Sequence, residues 1–320
     1  MDVTSSWTSR TLLGVAIAAL ALLAACGSSS SSADNSPTKA TAKSATTAAA
    51  GGRQIYVSLG DSYAAGYQPT GTGKGSTTTN GYAYQLPDLV KAKGYDLKLE
   101  NFGCSGATTT SIVAEKGCDK RSLGPQGVRY PDQTQADAAI AYIQAHQGKV
   151  TLVTVSIGGN DVTSCAKDPN PIPCVFTAVD GIKNNFGPML TRIRAAAGPK
   201  TTIIGITYPD VILGAYLQPS QSAKDLAKLS VTAFQSVLNP ALAAQYQAVD
   251  GTFVDITKAT GAYGSFDETT NLAPYGVIPT PVAKVCDLTY FCQYTDIHPK
   301  TSGYTLIAQQ IADAMPKAAA

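Results

Sequence analysis

Residues 56–67 read "YVSLGDSYAAGY". A short run of β-formers leaves through Gly60, Asp61 and Ser62, three residue types that favour turns for ordinary backbone reasons. Taken alone, the stretch is a strand ending in a tight turn. Its weight comes from recurrence. β-rich apolar runs return at residues 97–101, 150–157, 201–207 and 252–256, with helix-like segments between several of them. In "QTQADAAIAYIQAHQG", residues 133–148, Ala136, Ala139, Ile140 and Ile143 stand at helical spacing before a glycine stop. Residues 221–247 repeat that spacing with Leu226, Leu229, Phe234 and Leu238, and Pro240 is expected to break or kink the segment. A last helix is expected over residues 302–315. Strands alternating with helices imply a parallel sheet of about five strands covered on both faces, a three-layer α/β/α domain, since parallel neighbours need crossover helices. In such sheets, sites gather at the carboxyl ends of the strands.

Working outward, the amino-terminal end does not belong to this domain. Residues 11–22 are apolar after a lone Arg10, and "LAAC" closes the segment at Cys26. That is the pattern of a cleaved export signal, too short to span a bilayer comfortably. Residues 1–25 are read as signal peptide, with an ordinary secretory signal cleaved nearby as the competing reading. Residues 26–52, rich in Ser, Thr, Ala and Gly and without an aromatic residue, cannot bury enough apolar surface to offset the entropy of ordering. They read as a disordered tether. Residues 53–320 then suit one α/β domain.

The formal charge of +2 at pH 7 survives cleavage, because Asp2 and Arg10 cancel. It makes no electrostatic case for nucleic acid or for an acidic membrane surface. With Cys26 set aside, Cys104, Cys118, Cys165, Cys174, Cys286 and Cys292 form an even set in an exported chain, and three disulfides are the natural reading. The spacing does not decide the connectivity, although closeness in the chain favours 104 with 118, 165 with 174, and 286 with 292. Zinc is disfavoured, because no C-x-x-C pair occurs and neither histidine stands near a cysteine pair at finger spacing. No cofactor or metal is expected.

Three strand-exit loops and one late loop hold the polar residues of interest: "GDSY" at 60–63, "NFGCSGATT" at 101–109, "GGND" at 158–161 and "TDIHP" at 295–299. Acyl transfer by a serine needs a base within hydrogen-bond reach of the hydroxyl and donors aimed at the developing oxyanion. The chain has two histidines. His146 closes a helix, where the negative helix end accounts for it. His298 stands beside Asp296 in the late loop, where a neighbouring acceptor can set its tautomer.

"GDSY", "SGAT", "GGND" and "DIHP", in this order, resemble the four signature blocks of the SGNH/GDSL hydrolase superfamily. The cysteine set further resembles its secreted, three-disulfide actinobacterial esterase and lipase branch. "LAAC" resembles the lipobox of bacterial lipoproteins, whose cysteine, here Cys26, becomes the lipid anchor. The resemblance implies a flavodoxin-like α/β/α fold. It implies Ser62 as nucleophile and first oxyanion donor through its N–H, Gly106 as second donor through its N–H, Asn160 as third through its side chain, and His298 as general base. The family usually places its acid three residues before the histidine, but that position is Thr295, and Asp296 lies two before. Either Asp296 or the main-chain carbonyl of Thr295 can then orient the ring, and the expectation leans to the carbonyl.

Several stretches invite other readings. "GTGKGSTTT" at 71–79 fails as a phosphate loop, because its lysine is followed by glycine and no strand directly precedes it; it reads as a mobile loop beside the site. Ser105 lacks the strand-exit position of Ser62. "APYGVIPTPV" at 273–282 reads as packed loop ahead of an acyl-pocket lining. The resulting expectation is a monomeric esterase or lipase acting on lipid or short-chain acyl esters, touching a membrane through the Cys26 anchor alone. Deacetylation of cell-wall glycans, or a binding lipoprotein without turnover, are the alternatives.

Overall fold

The computed structural model describes residues 53–318; the signal, tether and Cys26 readings lie outside them. Strands β1 (Gln54–Gly60), β4 (Leu97–Asn101), β5 (Val150–Ser156), β6 (Thr202–Ile206) and β7 (Thr252–Val254) form a five-stranded sheet in the order β4-β1-β5-β6-β7. Every pairing in it is parallel. β1 and β5 are buried along nearly their whole length, which is why they read as continuous rather than alternating apolar runs. The polar side chains they do carry are matched across the sheet. The Tyr56 hydroxyl meets Thr154 Oγ1 at 2.7 Å, and Tyr82 donates to Ser156 Oγ at 3.2 Å, as buried polar groups require.

Helices cover both faces. The helix Tyr82–Leu89 packs on the helix Thr301–Ala314, while Gln135–Ala145, Pro171–Ala197 and Asn239–Gln247 pack side by side elsewhere on the sheet. β1 has β4 on one side and β5 on the other, so the strand order reverses at β1. Ligands of open α/β sheets bind outside the carboxyl ends of the strands at this reversal. The loops after β1 and β5 are the ones that carry Ser62 and Asn160.

Three local outcomes differ from the sequence reading. Residues 71–79 lie mostly in a hairpin, in which β2 (Tyr67–Gly71) pairs antiparallel with β3 (Lys74–Thr77), so the expected mobile loop is ordered by its own ladder. The helix Gln221–Ala233 passes through a wide turn at Phe234–Leu238 into the helix Asn239–Gln247. The wider turn accommodates the missing N–H and the ring of Pro240 without ending the helical run. Phe234 and Leu238 are buried there, but Leu226 and Leu229 are exposed by 41% and 47% rather than turned to the core. The stretch 273–282 belongs to a second hairpin, β8 (Thr269–Leu272) with β9 (Gly276–Pro279), and to the start of the helix Thr280–Leu288. It packs a small cluster around Ile278, Val282 and Cys286.

Disulfides join Cys104 to Cys118, Cys165 to Cys174 and Cys286 to Cys292. Each closes a short loop at the same end of the sheet as the strand exits or beside the late loop that carries His298. Among the described residues, no helix is long and apolar enough to cross a membrane, and no cluster of metal-ligating side chains occurs.

Candidate active site

At the end of β1 the chain turns through Gly60 at φ +137°. A Cβ there would overlap the carbonyl of Ser156 on β5, so only glycine lets the two strand ends run this close. The Gln135 carboxamide accepts from Gly60 N–H at 2.7 Å and donates to Gly60 O at 3.0 Å. It clamps both backbone groups of the turn from 75 residues away. No local pattern marks Gln135, and the sequence reading passed over it.

Asp61 caps the short helix Ser62–Ala65, its Oδ1 accepting from Tyr63 N–H at 2.9 Å. Its other oxygen accepts from the Tyr208 hydroxyl at 2.6 Å. Burial pushes the Asp61 carboxyl up to about 7, against the lowering effect of these hydrogen bonds. The Tyr208 ring in turn lies where a Cβ on Gly159 would be. Asp61, which the sequence marked only as a turn former, therefore links the loop of Ser62 to the loop of Asn160.

Ser62 is first in that helix and nearly buried, at 5% exposure. Its Oγ lies 2.7 Å from His298 Nε2, and His298 Nδ1 lies 2.6 Å from Asp296 Oδ1. An ionised carboxylate only accepts, so Nδ1 carries the proton and Nε2 is left to accept from the Ser62 hydroxyl. Burial opposes ionisation of Asp296, but the hydrogen bond and charge of His298 together with its backbone N–H hold the carboxyl below its ordinary range.

Of the two expected acceptors, the Asp296 carboxylate and the Thr295 carbonyl, the one bonded to Nδ1 is the Asp296 side chain. The reason is local. Thr295 adopts the left-handed conformation at φ +54°, and Asp296 Oδ1 also accepts from His298 N–H, two residues on, at 3.0 Å. That Asx turn folds the carboxylate back beside the ring, so a two-residue spacing brings it within hydrogen-bond reach of Nδ1. The loop is held from outside by the Tyr63 hydroxyl, which donates to Ile297 O at 2.6 Å, and by the Tyr67 ring, 4.5 Å from the imidazole.

Asn160 follows β5 through Gly158 at φ +106° and opens the short helix Gly159–Thr163. Its Nδ2 donates to Ala107 O at 2.8 Å. One of the two amide protons is thus spent on the loop after β4, and the second is left for the cavity. Asp161 fastens the same two loops, accepting from Thr109 N–H at 3.0 Å and from its hydroxyl at 2.5 Å. Gly106, at φ +90° with open space where a side chain would stand, is the neighbour of Ala107, and its N–H bonds to no other group among the described residues.

Ser62, Asn160, Tyr208, Ile212 and Ile297 line a cavity of about 30 Å³. Gly106 lines a separate polar hollow together with Ser105 and Glu115; the Ser105 hydroxyl has no partner there among the described residues. His146 bonds to Tyr142 O at 2.8 Å and stacks on that ring at the end of the helix Gln135–Ala145. It takes no part at Ser62. The stretch 273–282 contributes nothing to the Ser62 cavity.

A family model described as GDSL-like Lipase/Acylhydrolase matches residues 58–306 of this chain. No curated protein matches it in sequence. Among solved structures, the extracellular lipase of Streptomyces rimosus is 16% identical at a TM-score of 0.48, covering 82% of this chain and 100% of its own. A carbohydrate acetylesterase from Sinorhizobium meliloti is 12% identical at a TM-score of 0.46, with 82% and 98% covered. The aryl esterase of M. smegmatis is 13% identical at a TM-score of 0.45, with 82% and 97% covered.

Proposed function

This chain belongs to the GDSL-like lipase/acylhydrolase family, and on that premise we propose that it hydrolyses carboxylic acyl esters through an acyl-enzyme on Ser62. The observation that carries the reading is the unbroken chain of hydrogen bonds from Asp296 through His298 to Ser62, 2.6 Å and 2.7 Å long. In the first step Ser62 Oγ bonds to the ester carbonyl carbon while its proton passes to His298 Nε2. The imidazolium that forms is stabilised by Asp296. The carbonyl oxygen takes up the electron pair, met by the N–H groups of Ser62 and Gly106 and the free amide proton of Asn160. Collapse of the tetrahedral intermediate expels the alcohol, which leaves with the proton from His298. Water then attacks the acyl-enzyme, giving its proton to the same nitrogen, and Ser62 is regenerated with release of the acid.

A complete relay of nucleophile, base and orienting carboxylate supports an enzyme over a binding protein of the same fold, which has no use for an aligned base. Removal of acetyl groups from a glycan is the second reading, favoured by the small volume at Ser62. Hydrolysis of a chromogenic ester by the wild-type chain, lost in Ser62→Ala together with labelling by a fluorophosphonate, is the expected result; turnover persisting in Ser62→Ala overturns the assignment.

Three disulfides belong with an oxidising compartment. We read the enzyme as exported and tethered at the cell surface by a lipidated Cys26. Metabolic incorporation of a clickable fatty acid, absent in Cys26→Ala, is the check.

A further inference from the structure

An apolar opening lies beside the small Ser62 cavity. It is a trough of about 270 Å³ between the start of the helix Pro171–Ala197 and the helix Gln221–Ala233. Val175, Phe176, Leu226 and Leu229 form its outer walls, and three of these large side chains stand well exposed, Phe176 by 54%. Leu226 and Leu229 are three apart and share a helix face. Among the described residues that line it, the hydroxyls are those of Ser230 and Thr232, and the Ser230 hydroxyl donates to the Asp210 carboxylate at 2.7 Å. A contiguous exposed apolar patch of this kind marks a binding surface, whereas a lone exposed residue does not. Val277, exposed by 71% on the β9 hairpin, is such a lone residue.

The trough adjoins the reacting centre. Val162, Ile212, Phe234 and Leu238 line both it and the Ser62 cavity, and Val162 stands two residues after Asn160 in the same short helix. The cavity has room for a reacting carbonyl and little more, and these four apolar residues form the wall that it shares with the trough. The Cys165–Cys174 disulfide fixes the arrangement, since Cys165 lines the trough and Cys174 precedes Val175 and Phe176. Resting on the ester-hydrolase reading above, we infer that the trough seats the hydrocarbon tail of the acyl group, which makes the substrate class fatty-acyl esters rather than acetylated glycans.

The test compares kcat/KM for p-nitrophenyl dodecanoate and p-nitrophenyl acetate in the wild-type chain, Leu226→Glu, Leu229→Glu and the remote control Val277→Glu. In parallel, binding of cis-parinaric acid is followed by fluorescence in a Ser62→Ala background, which needs no turnover. Each methylene seated in an apolar site is worth a few-fold in discrimination, so the dodecanoate-to-acetate ratio is expected to fall by about tenfold or more in the two trough variants and to hold in the control. Parinaric acid binding should weaken with the same variants. A ratio and a binding curve unmoved by Leu226→Glu and Leu229→Glu overturn the trough assignment while leaving ester hydrolysis standing. Loss of parinaric acid binding in those variants, in a chain that hydrolyses no ester, keeps the trough and overturns the hydrolase reading instead. A dimer dissolved by Leu229→Glu, with the ratio unmoved, assigns this face to a second copy of the chain and overturns the proposal.

Discussion

The Ser62 cavity and the trough beside it are built on opposite principles. The cavity is small, about 30 Å³, and the polar groups in and around its wall are cross-braced: Asp296 holds His298, Asp61 holds Tyr208, Asn160 holds Ala107 and Gln135 holds Gly60. The trough is about 270 Å³ and is lined mostly by apolar side chains. Hydrogen bonds weaken steeply with misalignment, so a constellation that moves protons must be over-determined. Apolar contact is non-directional and scales with area, so a surface that only has to accept a hydrocarbon tolerates variation. Substitutions in the first region should therefore act on turnover of every ester, and those in the second on the preference among esters.

The largest expected effect is that of Ser62→Ala, which should lower kcat by on the order of 10⁴ to 10⁶ for every chain length; a loss confined to long esters would break the division between the regions. Asp296→Asn comes next. It keeps the shape but presents a donor to Nδ1, and kcat should fall by on the order of 10⁴. Near-full activity in that variant would return the orienting role to the Thr295 carbonyl. Asn160→Ala should cost about 10² to 10³ in kcat, again uniformly across acyl lengths in a chain-length series.

A smaller effect, read on stability, sets one carboxyl from each region side by side. Asp61 stands in the cavity wall and Asp210 under the trough, and burial pushes each up to about 7 from an ordinary value of 3.8. The folded protein thus binds more protons at these sites than the unfolded chain does between about pH 4 and pH 7. Their contribution to stability is fully present below the unfolded value and is lost as pH rises through the folded one. Denaturant unfolding at pH 4.5 and 7.5 should show the wild-type chain losing stability relative to Asp210→Asn over that interval, by on the order of a few kcal/mol, with no further loss above it. A difference that stays constant between pH 4.5 and 7.5 would mean that the carboxylate is ionised in the folded protein throughout. The same comparison with Asp61→Asn reports whether its two donors, Tyr208 and the Tyr63 N–H, offset its burial.

The candidate residues that were legible in the sequence are those whose position follows from their own loop. Ser62 and Asn160 stand directly after apolar strands, and of the two histidines His146 has a sufficient place at a helix end, which leaves His298. The inner strands β1, β5 and β6 were legible as well, because strands buried on both faces read as continuous apolar runs, whereas the edge strands β4 and β7 are partly exposed and carry a weaker signal. Asp296 was half legible. Its nearness to His298 was plain, but the choice between its carboxylate and a carbonyl turned on the left-handed Thr295, a conformation to which a threonine gives no sequence signal.

The residues that were not legible work across the chain. Gln135 reaches Gly60, and Tyr208 reaches Asp61 over 147 positions. Leu226 and Leu229 carry a helical period that predicts burial, yet they face an opening, because a periodic apolar face records only that something apolar will cover it and not whether that cover is the protein or a ligand. The order of polar loops along the strands and the even set of cysteines were written into the chain itself, since each depends on residue type and near neighbours. Which acceptor orients the histidine, which distant side chains brace the turn, and where an acyl chain can leave the serine were decided only when the sheet brought together segments far apart in sequence, because those contacts are set by three-dimensional packing that no local pattern encodes.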